Sequence, residues 1–138
     1  MDGLNRDLSK YPSYSIILND PSSFSISEAR KVLKPPFEVN AEFETTLQEF
    51  SCEQKVYDII WATHALYAIP KNQLKEALKR FIFGMAGSGF IAHASKKSHY
   101  LKFYRHYLNG FKDGFGEPYS SAEDILQVLN EVGITHRV

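Results

Sequence analysis

A near-continuous apolar run, Tyr57 to Ala62, constrains the fold of this chain more than any other feature. Asp58 is the only polar residue within it. Strands of parallel sheets have this composition because helices cover both faces of the sheet and neither side of the strand meets water. The run therefore predicts a strand that is buried on both faces within an α/β layer architecture.

Shorter runs predict further strands of the same kind. Ser15 to Leu18 is β-branched and aliphatic and ends at the turn residues Asn19-Asp20-Pro21. Phe37 to Val39 alternates between apolar and polar residues, Gly89 to Ala92 resumes an apolar run, and Ile134 to Val138 begins another. Five strands are therefore predicted, counting the run at Tyr57.

Amphipathic segments between these runs predict helices. Capping-box patterns at Ser25/Glu28 and Ser120/Glu123 indicate two helix starts, and Gly133 is the natural end of the second helix. Another helix is predicted from Ser98 to Phe111. The remaining helix follows Pro70, ends at Gly84 and carries an apolar stripe of Leu74, Ala77, Leu78, Phe81 and Ile82.

The resulting order, β-α-β-β-α-β-α-α-β, predicts a doubly wound α/β fold with a mostly parallel sheet and helices on both faces. At 138 residues, 43% of them hydrophobic, the chain is predicted to be one domain over residues 1–138 with a core of its own. The glycine-rich segment from Gly84 to Gly89 follows a helix and precedes a strand. That context predicts a turn rather than a phosphate-binding loop.

Composition narrows the range of partners and compartments. Sixteen basic residues balance sixteen acidic ones, so no net charge favours nucleic acid or an anionic membrane. No stretch has the length of a signal peptide or a membrane span. Cys52 is the only cysteine, which excludes an internal disulfide and favours a reducing compartment. We therefore expect a cytoplasmic protein without nucleic-acid or membrane partners.

Ligands of doubly wound sheets bind outside the carboxyl ends of the strands. That rule selects Asp20, Thr45, Thr46, Thr63 and His64. Asp20 has the short, fixed carboxylate that can accept hydrogen bonds from both ribose hydroxyls, or it serves only in an Asp-Pro turn. His64 is a candidate ligand contact or base, or a hydrogen-bonded structural residue.

A set of aromatic residues, Tyr67, Tyr100, Phe103 and Tyr104, allows two interpretations. The rings can surround an amine through cation–π contacts, or they can form the packed face of an amphipathic helix. No metal site is predicted, because His93, His99, His106 and His136 lack partner cysteines or carboxylates at a recognised ligand spacing.

Four segments, taken together, carry a resemblance to a known family. YSIILNDPSSFSISEARKVL, FEVNAEFETTLQEF, YDIIWATHALYAIP and GSGFIAHASKKSHYLKFYRHY resemble, in order and spacing, the second to fifth strands of class I S-adenosylmethionine-dependent methyltransferases. The nearest likeness is to the histamine N-methyltransferase-like group. The tail YSSAEDILQVLNEVGI resembles the helix before the sixth strand, so the resemblance extends over about residues 11 to 138.

The resemblance implies roles for the selected residues. Asp20 would hold the cofactor ribose, at a position where this group more often has glutamate. Thr45 or Thr46 would lie against the adenine, and Thr63 and His64 would line the methionine side. Tyr100 resembles a substrate-facing aromatic residue, and Tyr67 of the aromatic set is the second candidate for contact with a substrate.

The strongest signature of that family, a glycine-rich loop between the first strand and first helix, has no counterpart. LNRDLSKYP resembles the end of the helix that follows the loop, so we expect either a domain truncated before its second strand or one that has lost its first strand. Loss of the first strand leaves the second and fourth strands without the partner between them and exposes apolar surface. A homodimer through the exposed sheet edge is then expected.

Two functions remain open at this stage. The first is methyl transfer from S-adenosylmethionine to a small molecule such as an amine, which needs positioning of the acceptor rather than a catalytic side chain. The second is a non-catalytic methyltransferase-like module that pairs with a partner chain. A general Rossmann-like nucleotide binder needs the same missing loop and adds no separate prediction.

Overall fold

The computed structural model of the chain describes residues 12–51 and 53–138. Cys52 and most of the LNRDLSKYP segment lie outside the described residues. Within the described part the chain is α/β, with four strands and four helices in the order β1 (Tyr14–Asn19), α1 (Ser23–Val32), β2 (Phe37–Phe43), β3 (Tyr57–Thr63), α2 (Lys71–Gly84), β4 (Met85–Ala92), α3 (His99–Phe111) and α4 (Ala122–Glu131).

Two compact units, Met1–Phe50 and Ser51–Val138, divide the chain. Each unit contains one β-α-β motif whose two strands pair in parallel, β1 with β2 and β3 with β4. The predicted α/β class and the parallel pairing are confirmed. The prediction of one domain over residues 1–138 stays a prediction.

In the first unit, helix α1 connects β1 to β2. Tyr14 pairs with Phe37 at one end of the strands and Asn19 pairs with Phe43 at the other. Ile26 on α1 is buried. The guanidinium of Arg30 on α1 donates to both carboxylate oxygens of Glu42 on β2, which joins the crossover helix to the second strand.

Helix α1 begins earlier than the Ser25/Glu28 capping pattern predicted. Its N-cap is Ser22, whose hydroxyl accepts a hydrogen bond from the backbone N–H of Ser25. The chain turns immediately after β1, where the Asp20 carboxylate accepts from the backbone N–H of Ser22. Because this turn already presents a serine for capping, the helix starts there and Ser25 lies inside its first turn.

The second unit has its core around α2. The predicted stripe is confirmed on four of its five residues, since Leu74, Ala77, Leu78 and Phe81 are buried and Ile82 is half-buried. Helix α4 packs against α2 and contributes the buried Ile125. A salt bridge between Lys75 and Glu131 joins the two helices at their surface.

Strand β3 is covered on one face only, and the prediction of burial on both faces was wrong. Ala62 is buried, whereas Ile59 and Trp61 each expose 67% of their surface. Trp61 pairs with Phe90 on β4, and their ring centroids lie 4.2 Å apart on the exposed face. The residues of the apolar run favour burial, but in this two-stranded sheet only the face that packs against α2 is covered.

The glycine-rich segment forms strand rather than the predicted turn. Helix α2 ends at Gly84 and β4 begins at Met85 with no loop between them. A Cβ atom on Gly87 would lie 2.4 Å from the backbone oxygen of Asp58, and one on Gly89 would lie 2.7 Å from the Phe81 ring. The glycines are thus explained by the close approach of a neighbouring strand and of the packed helix.

Helix α4 begins one residue later than predicted and ends as predicted. Ser121 is the N-cap and forms a reciprocal capping box with Asp124, whereas Ser120 is fully buried. Gly133 has a φ of +72°, as a C′ glycine requires.

The predicted strand Ile134–Val138 is irregular in the structure. The backbone N–H of Ile134 donates to Leu129 O at 2.9 Å, and that of Gly133 donates to Asn130 O at 3.1 Å. These two bonds form the Schellman closure of α4. The first donor of the predicted strand is thereby used to end the helix rather than to enter a ladder.

Candidate functional site

The carboxyl ends of β1 and β2 lie together at one edge of the first unit. The side-chain amide of Asn19 donates to the carbonyl oxygens of Phe43 and Thr45, at 3.2 and 2.9 Å. The backbone N–H of Asp20 also donates to Phe43 O, at 3.2 Å. The structure therefore brings together Asp20 and Thr45, both of which the sequence selected as residues that follow strands.

The carboxylate of Asp20 has a structural role in this edge. Its Oδ1 accepts from the backbone N–H of Ser22 at 2.8 Å, and the residue is half-buried. This is the turn interaction that the sequence allowed as the alternative to ribose binding. It occupies one carboxylate oxygen, and Oδ2 has no hydrogen-bond partner among the described residues.

Thr46 begins a short turn rather than pointing to a neighbouring strand. Its hydroxyl donates to the carboxylate of Glu49 at 2.8 Å, and its carbonyl oxygen accepts from the backbone N–H groups of Glu49 and Phe50. Of the two threonines, Thr45 is thus the one tied directly to the end of β1, through Asn19.

In the second unit, Thr63 is the last residue of β3 and His64 follows it. The Thr63 hydroxyl accepts from the indole N–H of Trp61, which places it on the exposed face of the sheet. The backbone N–H of His64 donates to Ala92 O at 2.9 Å. His64 has a φ of +53°, a left-handed conformation that is uncommon for residues other than glycine.

Tyr67 links the segments that follow β3 and β4. Its hydroxyl lies 2.6 Å from His64 Nδ1 and accepts from the backbone N–H of Ala94 at 3.1 Å. The residue is only 7% exposed, and its ring centroid lies 4.0 Å from that of His93. The geometry gives Tyr67 a role in holding the carboxyl ends of both strands.

A tyrosine cluster, Tyr67, Tyr100, Tyr104 and Tyr119, extends from this edge. The rings of Tyr104 and Tyr119 are stacked in parallel with centroids 3.6 Å apart, and Tyr100 lies 4.8 Å from Tyr67. Tyr100 is 52% exposed. Phe103, which the sequence grouped with these rings, is 74% exposed.

Tyr119 is a member of the cluster that the sequence analysis missed. It lies in the connection between α3 and α4, where no helical period groups it with the tyrosines of α3. Burial raises the pKa of Tyr119, and the neighbouring Tyr100 and Tyr104 act in the same direction. Its hydroxyl therefore stays protonated over a wider pH range than that of a free tyrosine.

His93 is a second residue whose place the sequence did not reveal. It directly follows β4, and its Nε2 lies 2.9 Å from the carbonyl oxygen of Ser120. Ser120 is fully buried and its hydroxyl donates to Ile69 O at 3.1 Å. Burial lowers the pKa of His93, and nearby His64 adds to that effect, against the opposing influence of the Ser120 carbonyl and Asp124.

The environment of His93 leaves one ring atom unsatisfied. Because a carbonyl oxygen only accepts, Nε2 carries the hydrogen and Nδ1 is left as an acceptor in the neutral ring. Nδ1 is buried and has no hydrogen-bond partner among the described residues. A buried polar atom without a partner is costly, at about 1–3 kcal/mol, and few such atoms occur in a folded protein.

A charged group lies beside this edge, at the start of α4. Asp124 lies 3.4 Å from the amino groups of both Lys71 and Lys96. Burial raises the pKa of Asp124, but hydrogen bonds from Ser121 together with the two lysines outweigh it and lower the pKa overall. The carboxylate is therefore committed to stabilising the helix start.

Other parts of the described chain offer little chemistry. An open depression of about 320 Å³ on the β1–β2 pair is lined by Ser13, Ser15, Glu38, Val39 and Asn40, with Glu38 as its one ionisable group. In residues 12–51 and 53–138 no three His, Cys, Asp or Glu side chains are grouped as metal ligands. No helix of the described part is long and apolar enough to cross a membrane.

Comparisons with known proteins leave the family of this chain open. No protein-family model matches the sequence, and no curated protein matches it either.

Proposed function

We propose that this chain is a methyltransferase-like α/β domain of the partial Rossmann type, which takes S-adenosylmethionine as cofactor and a small molecule such as an amine as methyl acceptor. The pairing of the strands is the observation that carries this proposal. The two parallel pairs, β1 with β2 and β3 with β4, are those expected for the second to fifth strands of class I methyltransferases. In that family the first strand lies between the two pairs.

The positions of the polar residues support the same proposal. In the first unit Asp20 follows β1 and Thr45 follows β2, at the edge where the ribose and adenine would bind. In the second unit Thr63 and His64 follow β3, where the methionine side would lie. Ligands of parallel sheets bind at these carboxyl ends.

Methyl transfer at this site would require the protein mainly to position the two reactants. S-adenosylmethionine supplies an activated methyl group when it is bound. The protein then has to hold the acceptor lone pair in line with the methyl carbon, which accounts for the lack of an assigned catalytic side chain. Tyr100, half-exposed beside Tyr67, is the ring that can meet an acceptor amine through a cation–π contact.

Titration calorimetry with S-adenosylmethionine, on variants of Asp20, tests the proposal. Asp20→Asn keeps an oxygen for the Ser22 N–H but loses the charged acceptor for the ribose hydroxyls. We expect saturable binding by the wild type and at least tenfold weaker binding by Asp20→Asn, which corresponds to about 1.4 kcal/mol. Asp20→Ala removes both roles and should also lower the melting temperature.

Glu38→Gln is the matched control. It neutralises an exposed carboxylate on β2 of the same unit, so binding should stay unchanged. The proposal would be wrong if the folded wild-type chain did not bind S-adenosylmethionine. If Asp20→Asn and Glu38→Gln weakened binding equally, the loss would reflect overall charge, and a ribose contact of Asp20 would be contradicted.

The alternative is a non-catalytic module that pairs with a partner chain, for which a second copy of this chain is one candidate. The exposed apolar face of β3 and β4, with Ile59, Trp61 and Phe90, favours it. Contiguous apolar surface of this kind is typical of interfaces between chains. Under both proposals we place the protein in the cytoplasm.

A further inference from the structure

We infer that Tyr67 is a positioning residue that fixes His64 as the Nε2–H tautomer, so that His64 presents an N–H donor to a ligand carboxylate at the carboxyl end of β3. The choice of ligand rests on the proposed function, in which this carboxylate belongs to the amino-acid end of the cofactor. The tautomer itself rests on the hydrogen bonds of the protein alone.

The first step is the proton count at the Tyr67 hydroxyl. A phenol has one hydrogen to donate and an oxygen that accepts. The backbone N–H of Ala94 donates to that oxygen at 3.1 Å. A main-chain N–H group can only donate, so the phenol oxygen is the acceptor in this bond.

The second step assigns the remaining bond. The Tyr67 hydroxyl lies 2.6 Å from His64 Nδ1, within hydrogen-bond distance. No other acceptor lies within hydrogen-bond distance of this hydroxyl in the described part of the chain. The phenolic hydrogen therefore points to Nδ1, which must be the unprotonated nitrogen of the neutral ring. The ring hydrogen is then on Nε2.

The third step concerns what the ring can bind. His64 is exposed, and its Nε2 makes no hydrogen bond within the described residues. Its backbone is held in the left-handed region by the bond from its own N–H to Ala92 O. Uncommon backbone conformations held by several bonds are concentrated at binding sites. Here the constrained backbone fixes the direction of the His64 side chain, whose hydrogen-bond donor is Nε2–H.

The fourth step selects the ligand group. An N–H donor is satisfied by an oxygen acceptor and is opposed by an ammonium group, which also donates. Among oxygen acceptors a carboxylate makes the stronger bond because it is charged. His64 is therefore assigned to the carboxylate end of the ligand, and the amine acceptor is left to the tyrosine rings.

Nuclear magnetic resonance of the imidazole nitrogens tests the tautomer directly. We expect His64 in the wild type to show the Nε2–H tautomer. Tyr67→Phe removes the hydroxyl and should give a mixture of tautomers, whereas Tyr107→Phe, which changes an exposed tyrosine of α3, should not. A wild-type His64 in the Nδ1–H form would overturn the inference, as would a Tyr67→Phe spectrum identical to that of the wild type.

Two nucleosides test the ligand group. S-adenosylhomocysteine has the amino-acid carboxylate and 5′-methylthioadenosine lacks it. His64→Asn tolerates the left-handed backbone but is too short to replace Nε2, so we expect about tenfold weaker binding of S-adenosylhomocysteine and unchanged binding of 5′-methylthioadenosine. His64→Gln, which restores an N–H at that distance, should recover part of the affinity.

The outcomes separate this inference from the proposed function. Equal loss of both ligands in His64→Asn would overturn the carboxylate assignment while leaving cofactor binding in place. A chain that binds neither nucleoside would overturn the proposed function and the carboxylate assignment together. The tautomer would then still be decided by the imidazole spectra.

Discussion

At the residue scale, His93 combines burial with an unsatisfied nitrogen. Its Nε2 is held by the Ser120 carbonyl, and Nδ1 has no partner in the described part of the chain. Protonation would place a charge in a region that burial makes unfavourable, so the folded state favours the neutral ring. The histidine was weighed from the sequence only as a metal ligand, because spacing carries no information on burial.

His93 should make stability depend on pH. Its pKa in the folded protein lies below the ordinary value near 6.5, so the unfolded chain binds more protons just below that value and folding weakens as pH falls. We expect the free energy of unfolding, from urea melts, to drop between about pH 7.5 and about pH 5. His93→Gln keeps a donor for Ser120 but does not titrate, so its drop should be smaller.

The carboxylates limit how this result is interpreted. Asp124 has a lowered pKa, and it loses its contribution at lower pH in both proteins. The informative quantity is therefore the difference in slope between the wild type and His93→Gln. Parallel slopes would contradict a depressed pKa for His93.

At the element scale, strand β4 shows how close packing dictates residue type. Gly87 passes the backbone of Asp58 and Gly89 passes the ring of Phe81. The obstacle at Gly87 is main chain, which cannot rotate away, whereas the obstacle at Gly89 is a side chain. The pairing of β3 with β4 therefore depends more on the absence of a side chain at Gly87 than at Gly89.

Gly87→Ala should destabilise the second unit by about 1–3 kcal/mol, because the added methyl forces β3 and β4 apart. Gly110 is the matched control, since a Cβ there meets nothing within 4 Å and the residue lies in α3. Gly110→Ala should raise stability by about 0.5–1 kcal/mol through helix propensity. Denaturant melts of the two variants should shift in opposite directions, and a neutral Gly87→Ala would contradict the strand pairing.

Periodicity predicted most elements of this chain but not their contacts. The stripe on α2 and the helix from Ser98 to Phe111 follow from the sequence because a 3.6-residue period marks a buried face. The starts of α1 and α4 were misplaced because neighbouring serines offer competing caps, and the choice depends on the preceding turn. Tyr119 joins the tyrosine cluster from a loop, where no period exists to reveal it.

The site was predictable to the extent that strand ends are predictable. Asp20 and Thr45 were selected because each follows a strand, and they lie at one edge because parallel strands end on the same side. The link from Tyr67 to His64 and Ala94 was not foreseen, since it depends on side-chain directions at the ends of two different strands. The ligand roles of these residues stay predictions.

At the scale of the whole molecule, the exposed apolar face of β3 and β4 is the feature from which we predict association in solution. Ile59, Trp61 and Phe90 lie together on it. Exposed contiguous apolar surface favours association, and tryptophan is one of the side chains enriched where interfaces gain most of their binding energy. The face also bears on the alternative function, which requires a partner chain.

Sedimentation of the purified chain should show a monomer–dimer equilibrium. Trp61→Ser should shift it toward monomer by at least tenfold in the dissociation constant, because a large apolar contact is lost. Phe111→Ser is the control, since Phe111 is 80% exposed and belongs to the last turn of α3 rather than to the sheet. A wild type that stays monomeric at high concentration would remove the basis for the paired module.

The direct passage from α2 into β4 has a consequence for how this protein can vary. Each residue turns a helix by about 100°, whereas a strand alternates every second residue. No loop separates Gly84 from Met85, so the directions of the helix side chains are fixed relative to those of the strand. Phe81 therefore faces Gly89 only at the present length. Inserting or deleting one residue at this joint would turn the helix against the wrong side of the strand. Length changes should therefore be tolerated in the exposed connection 112–118 and excluded at this joint.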